Sequence, residues 1–366
     1  MSTSIDSKAT LRPVSPGAEV ILGLYFPVLD NGFVALVDYM GGDEGIDDAA
    51  RCSYGEGTRQ ASDRRGLLRT LRRNLHTSPF EMAEIKVHMA MPIFVARQFI
   101  RHRTANVNEY SGRYSLMPAL FYTPEPDDIA HQSKKNKQGR AEPVSPAVAD
   151  EALNRWRAQR MQAVENYEWL NAEDVARELA RIDLPLSTYT QWYWKIDIHN
   201  LLHFLGLRVD AHAQKEARAY ADVLAGMVKR LAPLTFEAWI DYQFGGARMS
   251  RMEMAIVREA LRPSTRGVGG VLSCATVDLT AGELASALGS KREAEEFLAK
   301  LDPQEIPSFD LDLGKATSGA YFAEAWKKAA TFQKAVFGQP NARDVEQKSA
   351  ESRADAYNAA LRRGEL

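Results

Sequence analysis

Strand signals ahead of Pro92 and helical spacing after Asp150 predict an α+β fold, an antiparallel sheet packed with helices and followed by a C-terminal helical extension. Three observations carry this reading. Apolar residues recur with period two over residues 20–37 and 83–91, and helical spacing dominates from Asp150 to Leu231. No dinucleotide fingerprint or P-loop is present, since Gly55-x-Gly57 is followed by Gln60 where a third glycine belongs. A Rossmann fold is therefore not expected.

Val20, Leu22, Leu24 and Phe26 alternate with Ile21, Gly23 and Tyr25. After an Asp30-Asn31-Gly32 turn, Phe33, Ala35 and Val37 repeat the period, which predicts a hairpin. Asp63 is placed to cap a helix in which Leu67, Leu68, Leu71 and Leu75 follow helical spacing, with Arg64, Arg65, Arg69, Arg72 and Arg73 on its other faces. Ala83, Ile85, Val87, Met89 and Met91 alternate with Glu84, Lys86 and His88 as a further strand. Pro92 suits the first position of a helix expected to run to about Arg103.

Pro118, Pro124 and Pro126 mark a loop that continues through Lys134-Lys135-Asn136-Lys137 as a solvated segment. Leu153, Trp156, Arg160, Val164 and Tyr167 open the helical half, with further helices expected at 172–181, 196–207 and 212–231, the last stopped before Pro233. Beyond Arg262, Gly267–Gly270 reads as a linker to two amphipathic helices. One carries Phe322, Trp326, Ala329, Phe332 and Val336 on one face, and the other is Ala-rich and charged.

The 366 residues hold 46 Lys and Arg against 48 Asp and Glu, a net charge of -2 that excludes a globally basic polymer binder. That balance hides an uneven distribution. Residues 1–50 carry two basic and eight acidic side chains, whereas 51–113 carry twelve basic and five acidic, a local +7 suited to a small anionic ligand. Cys52 and Cys274 are the only cysteines and lack a paired spacing, so a reducing cytoplasmic compartment is expected. The longest apolar stretch, Val20 to Leu29, is broken by Gly23 and Pro27 and falls short of the roughly 20 residues of a membrane span. The polar Met1–Pro16 segment predicts no secretory signal.

Arg97 to Arg113 is the most informative stretch, with four guanidinium groups and one carboxylate in seventeen residues. Arg97 and Arg101 are four apart and are expected on one helix face. Ser111-Gly112-Arg113 reads as a phosphate cradle: a hydroxyl donor, a residue without Cβ that permits close approach, and a planar fork for two oxygens. Asn108 and Glu109 offer a donor and acceptor set for a base or sugar edge, while Asn106 reads better as a cap or turn contact.

Arg101-His102-Arg103, seven residues, then Ser111-x-Arg113 resembles the signature of the flavin-dependent thymidylate synthases, which methylate dUMP with a folate carbon and a reduced flavin. Further similarity lies in register: Cys52-Ser53-Tyr54-Gly55, His76-Thr77-Ser78-Pro79-Phe80-Glu81, Pro92–Gln98, Ala180–Pro185, and Phe204–Arg208 to His212-Ala213-Gln214. The resemblance covers roughly residues 20–250. It implies the family's fold, a catalytic domain over 1–262, and a linker with helical extension over 263–366.

The resemblance further implies FAD, NADPH and 5,10-methylenetetrahydrofolate as cofactors, and a homotetramer whose active sites are shared between subunits. It places Arg101, His102, Arg103 and Thr104 beside FAD, with His76 and Ser78 on a second flavin-contacting turn. Glu109, Asp197 and His199 fall at further flavin positions, the last two where Asn and Arg are common in the family, and His203 is a candidate donor to the adenine. The implied dUMP site comprises Gln98, Arg101, Glu109, Ser111, Gly112, Arg113, Arg181 and Arg208. Arg208 is the implied catalytic group, its fixed charge stabilising negative charge on the uracil ring. Read without the family, Arg208 is a helix-terminal cation paired with Asp210. Ser111 has no neighbouring base and reads as a phosphate ligand, not a nucleophile.

Three rival readings have their own discriminators. His199 and His203 are four apart and have zinc-binding spacing, but Asn200 stands where a His-Glu-x-x-His hydrolase needs its carboxylate, and only Asp197 or His212 lie near as third ligands. Cys52 lies in the basic block, as a flavin-free synthase's nucleophile would, yet its place far from the nucleotide motif argues for packing. Arg101, Arg103 and Arg113 interleaved with Tyr110 and Tyr114 fit single-stranded nucleic acid, which the total charge opposes. The reading favours dUMP and folate as partners, with neither nucleic acid nor membrane.

Overall fold

The early alternation becomes a five-stranded antiparallel sheet in the computed structural model, which describes residues 13–53, 63–134, 138–260, 281–302 and 305–337. The strands are β1 (Tyr25–Val28), β2 (Gly32–Met40), β3 (Glu84–Pro92) and β4 (Asn106–Glu109), with β5 (Ala130–Gln132) and β6 (Arg140–Pro143) forming a separate ribbon, and β7 (Tyr189–Asp197). The order is β1-β2-β3-β7-β4. The expected Gly267–Gly270 linker and the second, Ala-rich tail helix lie outside the described residues.

The helices are α1 (Pro16–Glu19), α2 (Asp43–Arg51), α3 (Arg64–Arg73), α4 (Ile93–Phe99), α5 (Pro146–Ala172), α6 (Arg177–Ala180), α7 (Ile198–Arg208), α8 (Lys215–Leu231) and α9 (Pro233–Trp239). They are followed by α10 (Arg251–Ala260), α11 (Ala281–Leu288), α12 (Lys291–Leu301) and α13 (Gly319–Phe337). Described residues up to Phe236 and from Phe309 onward make up one compact unit, which holds the sheet. Glu237–Ser308 form another, whose core is Leu284, Leu288, Ala294 and Phe297. Among the described residues no helix is long and apolar enough to cross a membrane.

The expected hairpin forms, but its first strand starts at Tyr25. Gly23, at φ 75°, breaks the run before it, so that Ile21 is buried while Val20 and Leu22 face solvent. The turn is Leu29-Asp30-Asn31, and Val28 pairs with Gly32. Gly32 is needed for space: a Cβ there would lie 1.9 Å from the Tyr220 hydroxyl, which donates to the Ala90 carbonyl at 2.9 Å. The helix over 64–73 forms as expected, with the Gly66 amide donating to Asp63 at 3.3 Å as the cap, and the strand expected over 83–91 runs over 84–92, so that Pro92 ends the strand and caps α4 and is not its first residue.

Four strands were not expected: β5 and β6, which pair across the segment read as a loop, and two strands of the main sheet. In β7 the buried Trp192, Trp194 and Ile196 alternate with Gln191, Tyr193 and Lys195, so one face enters the core. The polar β4 has little burial to favour it and is held as an edge strand by pairing with β7, where Asn106 lies opposite Lys195. Helix α4 also stops at Phe99, short of the expected Arg103. Arg101, His102 and Arg103 therefore stand in the following turn, where the His102 amide donates to the Phe99 carbonyl at 3.0 Å, and Arg97 and Arg101 do not share a helix.

One sheet face carries Trp194, which packs against Phe99 of α4 and Phe204 of α7 at ring distances of 6.3 and 5.3 Å, with Tyr220 of α8 next to Phe99. The opposite face carries Phe33, Ala35 and Ala90, covered by Phe322 of α13. Thr317 reaches this sheet as an isolated bridge, exchanging backbone hydrogen bonds of 2.9 and 2.8 Å with Tyr25. Asp30 fixes the hairpin turn to β7 by accepting from the Tyr189 hydroxyl at 2.5 Å and the Thr123 amide at 2.9 Å.

Candidate active site

A strip of arginine and histidine side chains with few counter-charges runs along α7. Arg208, in its last turn, donates from Nη2 to Nε2 of His102 at 3.4 Å, which leaves the ring proton on Nδ1. Burial, then Arg208, His203 and Arg101, hold the His102 imidazole below the usual histidine range, so it is neutral at pH 7. Burial and Arg101 likewise pull Arg208 down. Its Nε is buried without a hydrogen-bond partner, an uncommon state for a guanidinium inside a fold.

The strip continues at the other end of α7. His199 is held down by burial and by Arg72, and its Nδ1 is also buried without a partner. Arg72 is buried on α3, lies over the Phe80 ring at 4.9 Å, has an orphaned Nε, and is pulled down to about 10 by burial. Nothing in the sequence marks Arg72, which stands among five arginines of one helix; only its burial separates it from the others. Asp197 is occupied as the α7 cap, accepting from the Asn200 amide at 2.8 Å and its side-chain nitrogen at 2.7 Å. His76 and Ser78 are exposed on the turn that joins α3 to the short 3-10 segment Ser78–Met82.

A second group forms around the signature loop. Ser111 starts a turn in which its carbonyl accepts from the Tyr114 and Ser115 amides, both at 3.1 Å, and its Oγ accepts from the Arg113 amide at 3.3 Å. Gly112 is buried, and a Cβ there would meet Met117 at 2.8 Å and the Arg181 stem at 3.0 Å, which puts Arg181 against the loop. Arg113 is exposed and pairs with Glu178 at 3.0 Å. Glu109 accepts from the Thr190 hydroxyl at 2.7 Å. Among the described residues no hydrogen bond or ion pair joins this loop to the Arg208 strip, and the Arg101, Arg103 and Thr104 side chains make none at all.

Gln98 belongs to a third arrangement. Its Nε2 donates to Gln214 at 2.5 Å, and Gln214 donates to Glu216 at 2.8 Å. Glu216 is fully buried and also accepts from Tyr122 at 2.9 Å and from Arg140. Burial alone raises its carboxyl, but hydrogen bonds led by that from Arg140 outweigh it and hold the group below the usual range. A cavity of about 500 Å³, lined in part by Arg140, Trp156 and Glu216, adjoins this network.

Comparison with known proteins decides the family. Residues 35–234 match the family described as Thymidylate synthase complementing protein. The flavin-dependent thymidylate synthases of Ruegeria pomeroyi and Wolbachia pipientis are each 48% identical over 256 residues. These alignments cover 69% and 70% of this chain, and 85% and 90% of the relatives. The chain belongs to the flavin-dependent thymidylate synthase family. Among solved structures, the UMP/dUMP methylase PolB of Streptomyces cacaoi, bound with 5-Br dUMP, superposes with a TM-score of 0.54 at 32% identity, covering 59% of this chain and 97% of that one. The antiparallel sheet with its helices is thus the family's fold, and residues beyond 234 lie outside the family match.

It is the family match that weighs against the rival readings. Among the described residues no group of three or more His, Cys, Asp or Glu side chains is placed to hold a metal ion. Asp197 is committed to its cap, and His212 pairs with Asp210 at 2.8 Å, so neither completes a site with His199 and His203. Cys52 is exposed in the turn after α2, so it does not have the packing role expected from its distance to the nucleotide motif.

Proposed function

We propose that this chain methylates dUMP to dTMP as an FAD-dependent thymidylate synthase, with NADPH as reductant and 5,10-methylenetetrahydrofolate as carbon donor. The observation that carries the reading is the Arg72, His199, His203, His102, Arg208, Arg101 strip. It holds two buried guanidinium Nε atoms and one imidazole nitrogen without partners, which fits an anionic dinucleotide beside an anionic nucleotide. Reduced flavin supplies the hydride when bound, and the folate supplies the carbon.

The chain's own residues bind and orient. His76, Ser78, His102, Arg103, Thr104, His199 and His203 hold FAD together with Arg101, and Arg72 joins them from α3. Glu109 and Asp197 act there through the strand and the helix cap that they anchor. Ser111, Gly112, Arg113 and Arg181 cradle the phosphate, with Arg113 leaving its exposed pairing with Glu178 at little cost. Gln98, its amide fixed by Gln214, turns its remaining donor and acceptor to the uracil edge. Arg208 places a guanidinium where negative charge grows on the ring, and neutral His102 keeps it oriented. In this reading the sites are completed between subunits of a homotetramer, as the family resemblance implies, and the enzyme works in the cytoplasm.

The test is product formation by the purified protein. Supplied with FAD, NADPH, 5,10-methylenetetrahydrofolate and dUMP, it should form dTMP, and omission of any one should stop the reaction. A protein that retains flavin and nucleotide yet forms no dTMP contradicts the proposal.

A further inference from the structure

We propose that Trp326, carried by the C-terminal segment beyond the family match, is a positioning residue that braces the nucleotide loop through Tyr110. The inference rests on the reading of the Ser111–Arg113 loop as the dUMP phosphate cradle. It goes beyond that reading by giving the tail a role in the reaction.

The segment is fitted to the sheet-bearing unit at successive points. Asp310 pairs with Lys229 of α8 at 2.7 Å. Leu311 rests where Gly226 has no side chain; a Cβ there would lie 2.7 Å from it. A glycine inside a helix is destabilising by itself, so its presence in α8 is explained by this close approach. Thr317 pairs with Tyr25, and Gly319 lets the chain pass the Tyr25 ring, which a Cβ would meet at 2.9 Å. Phe322 is buried between Tyr25 and Phe33, at ring distances of 5.8 and 4.6 Å.

Four residues further on, Trp326 packs against the cluster of Leu120, Tyr122 and Tyr189 and meets the Tyr110 ring edge-on at 6.3 Å. Tyr110 is the staple of the loop. Its amide donates to the Gln191 carbonyl of β7 at 2.8 Å, and its hydroxyl donates to the Leu116 carbonyl at 2.7 Å, closing the turn that holds Ser111, Gly112 and Arg113. The indole and the Met117, Tyr167 and Ala180 cluster therefore hold between them the ring whose hydroxyl fixes the loop. Phosphate contacts depend on preorganised donors, so loosening this ring weakens nucleotide binding more than the chemical step.

The experiment compares Trp326→Ala, Trp326→Phe, Tyr110→Phe and the double variant Trp326→Ala/Tyr110→Phe in the full-length holoenzyme. Trp326→Ala and Tyr110→Phe should each raise KM for dUMP about tenfold with kcat within about twofold of the parent. The double variant should be no worse than the poorer single, and Trp326→Phe should stay near the parent, because the coupling runs through one ring. Hydrogen exchange at residues 110–116 should quicken in Trp326→Ala. This second readout needs no turnover and decides the brace even if dUMP proves not to be the substrate. Unchanged exchange and KM in Trp326→Ala with only a lower Tm, or additive effects in the double variant, overturn the proposal.

Discussion

Replacing Arg208 with Ala should lower kcat for dUMP methylation by about 10²- to 10³-fold, the usual loss when one preorganised donor to developing charge is removed. The same variant should be no less stable than the parent without ligands. Arg208 is half-buried, its Nε is orphaned, it neighbours His102 and Arg101, and among the described residues no carboxylate pairs with it. Such a group is held against its own folding preference, and removing it relieves a cost. Arg208→Lys should not rescue, because an ammonium has no fork to address His102 and the uracil edge together. Thermal melting beside steady-state kinetics checks both halves. A large loss of Tm with a small loss of kcat would make Arg208 a structural residue.

Glu216→Ala should be costly to both fold and binding. The carboxylate is fully buried and accepts from Arg140, Tyr122 and Gln214. Its removal strands those donors, a loss of about 3–5 kcal/mol by the usual cost of breaking a buried pair. Arg140 retains partial access to water, which places the expected value at the lower end. Glu216→Gln preserves shape but not charge and should cost less. In both variants Gln214 loses its anchor and Gln98 its fixed orientation, so KM for dUMP should rise as well. Urea denaturation with a dUMP titration measures the two effects. Full stability in Glu216→Ala would remove the network from the account.

How legible the molecule was depends on which force sets each element. The β2–β3 alternation and the Asp63-capped helix are set by local patterning and were readable, as were α7 and α8 to within a few residues. The strand β7 was missed although Trp192, Trp194 and Ile196 alternate, because the run joins directly to a helix and was read as part of the helical half. The strand β4 carried no signal of its own; Asn106 and Asn108 become strand residues because β7 presents an unpaired edge.

In the site, the Arg-His-Arg and Ser-x-Arg spacing was legible through the family, but roles were not. Sequence proximity pairs Arg208 with Asp210, whereas Asp210 pairs with His212 and Arg208 turns to His102 from another element. Arg72 and Trp326 could not be singled out at all. One is distinguished only by burial among a run of arginines, and the other only by where the tail returns to the sheet.

The absorbance spectrum of the purified protein tests the central claim most directly. A yellow flavin band that is bleached by NADPH and perturbed by dUMP is the expected result. A protein that stays colourless after incubation with FAD and carries stoichiometric zinc would contradict it.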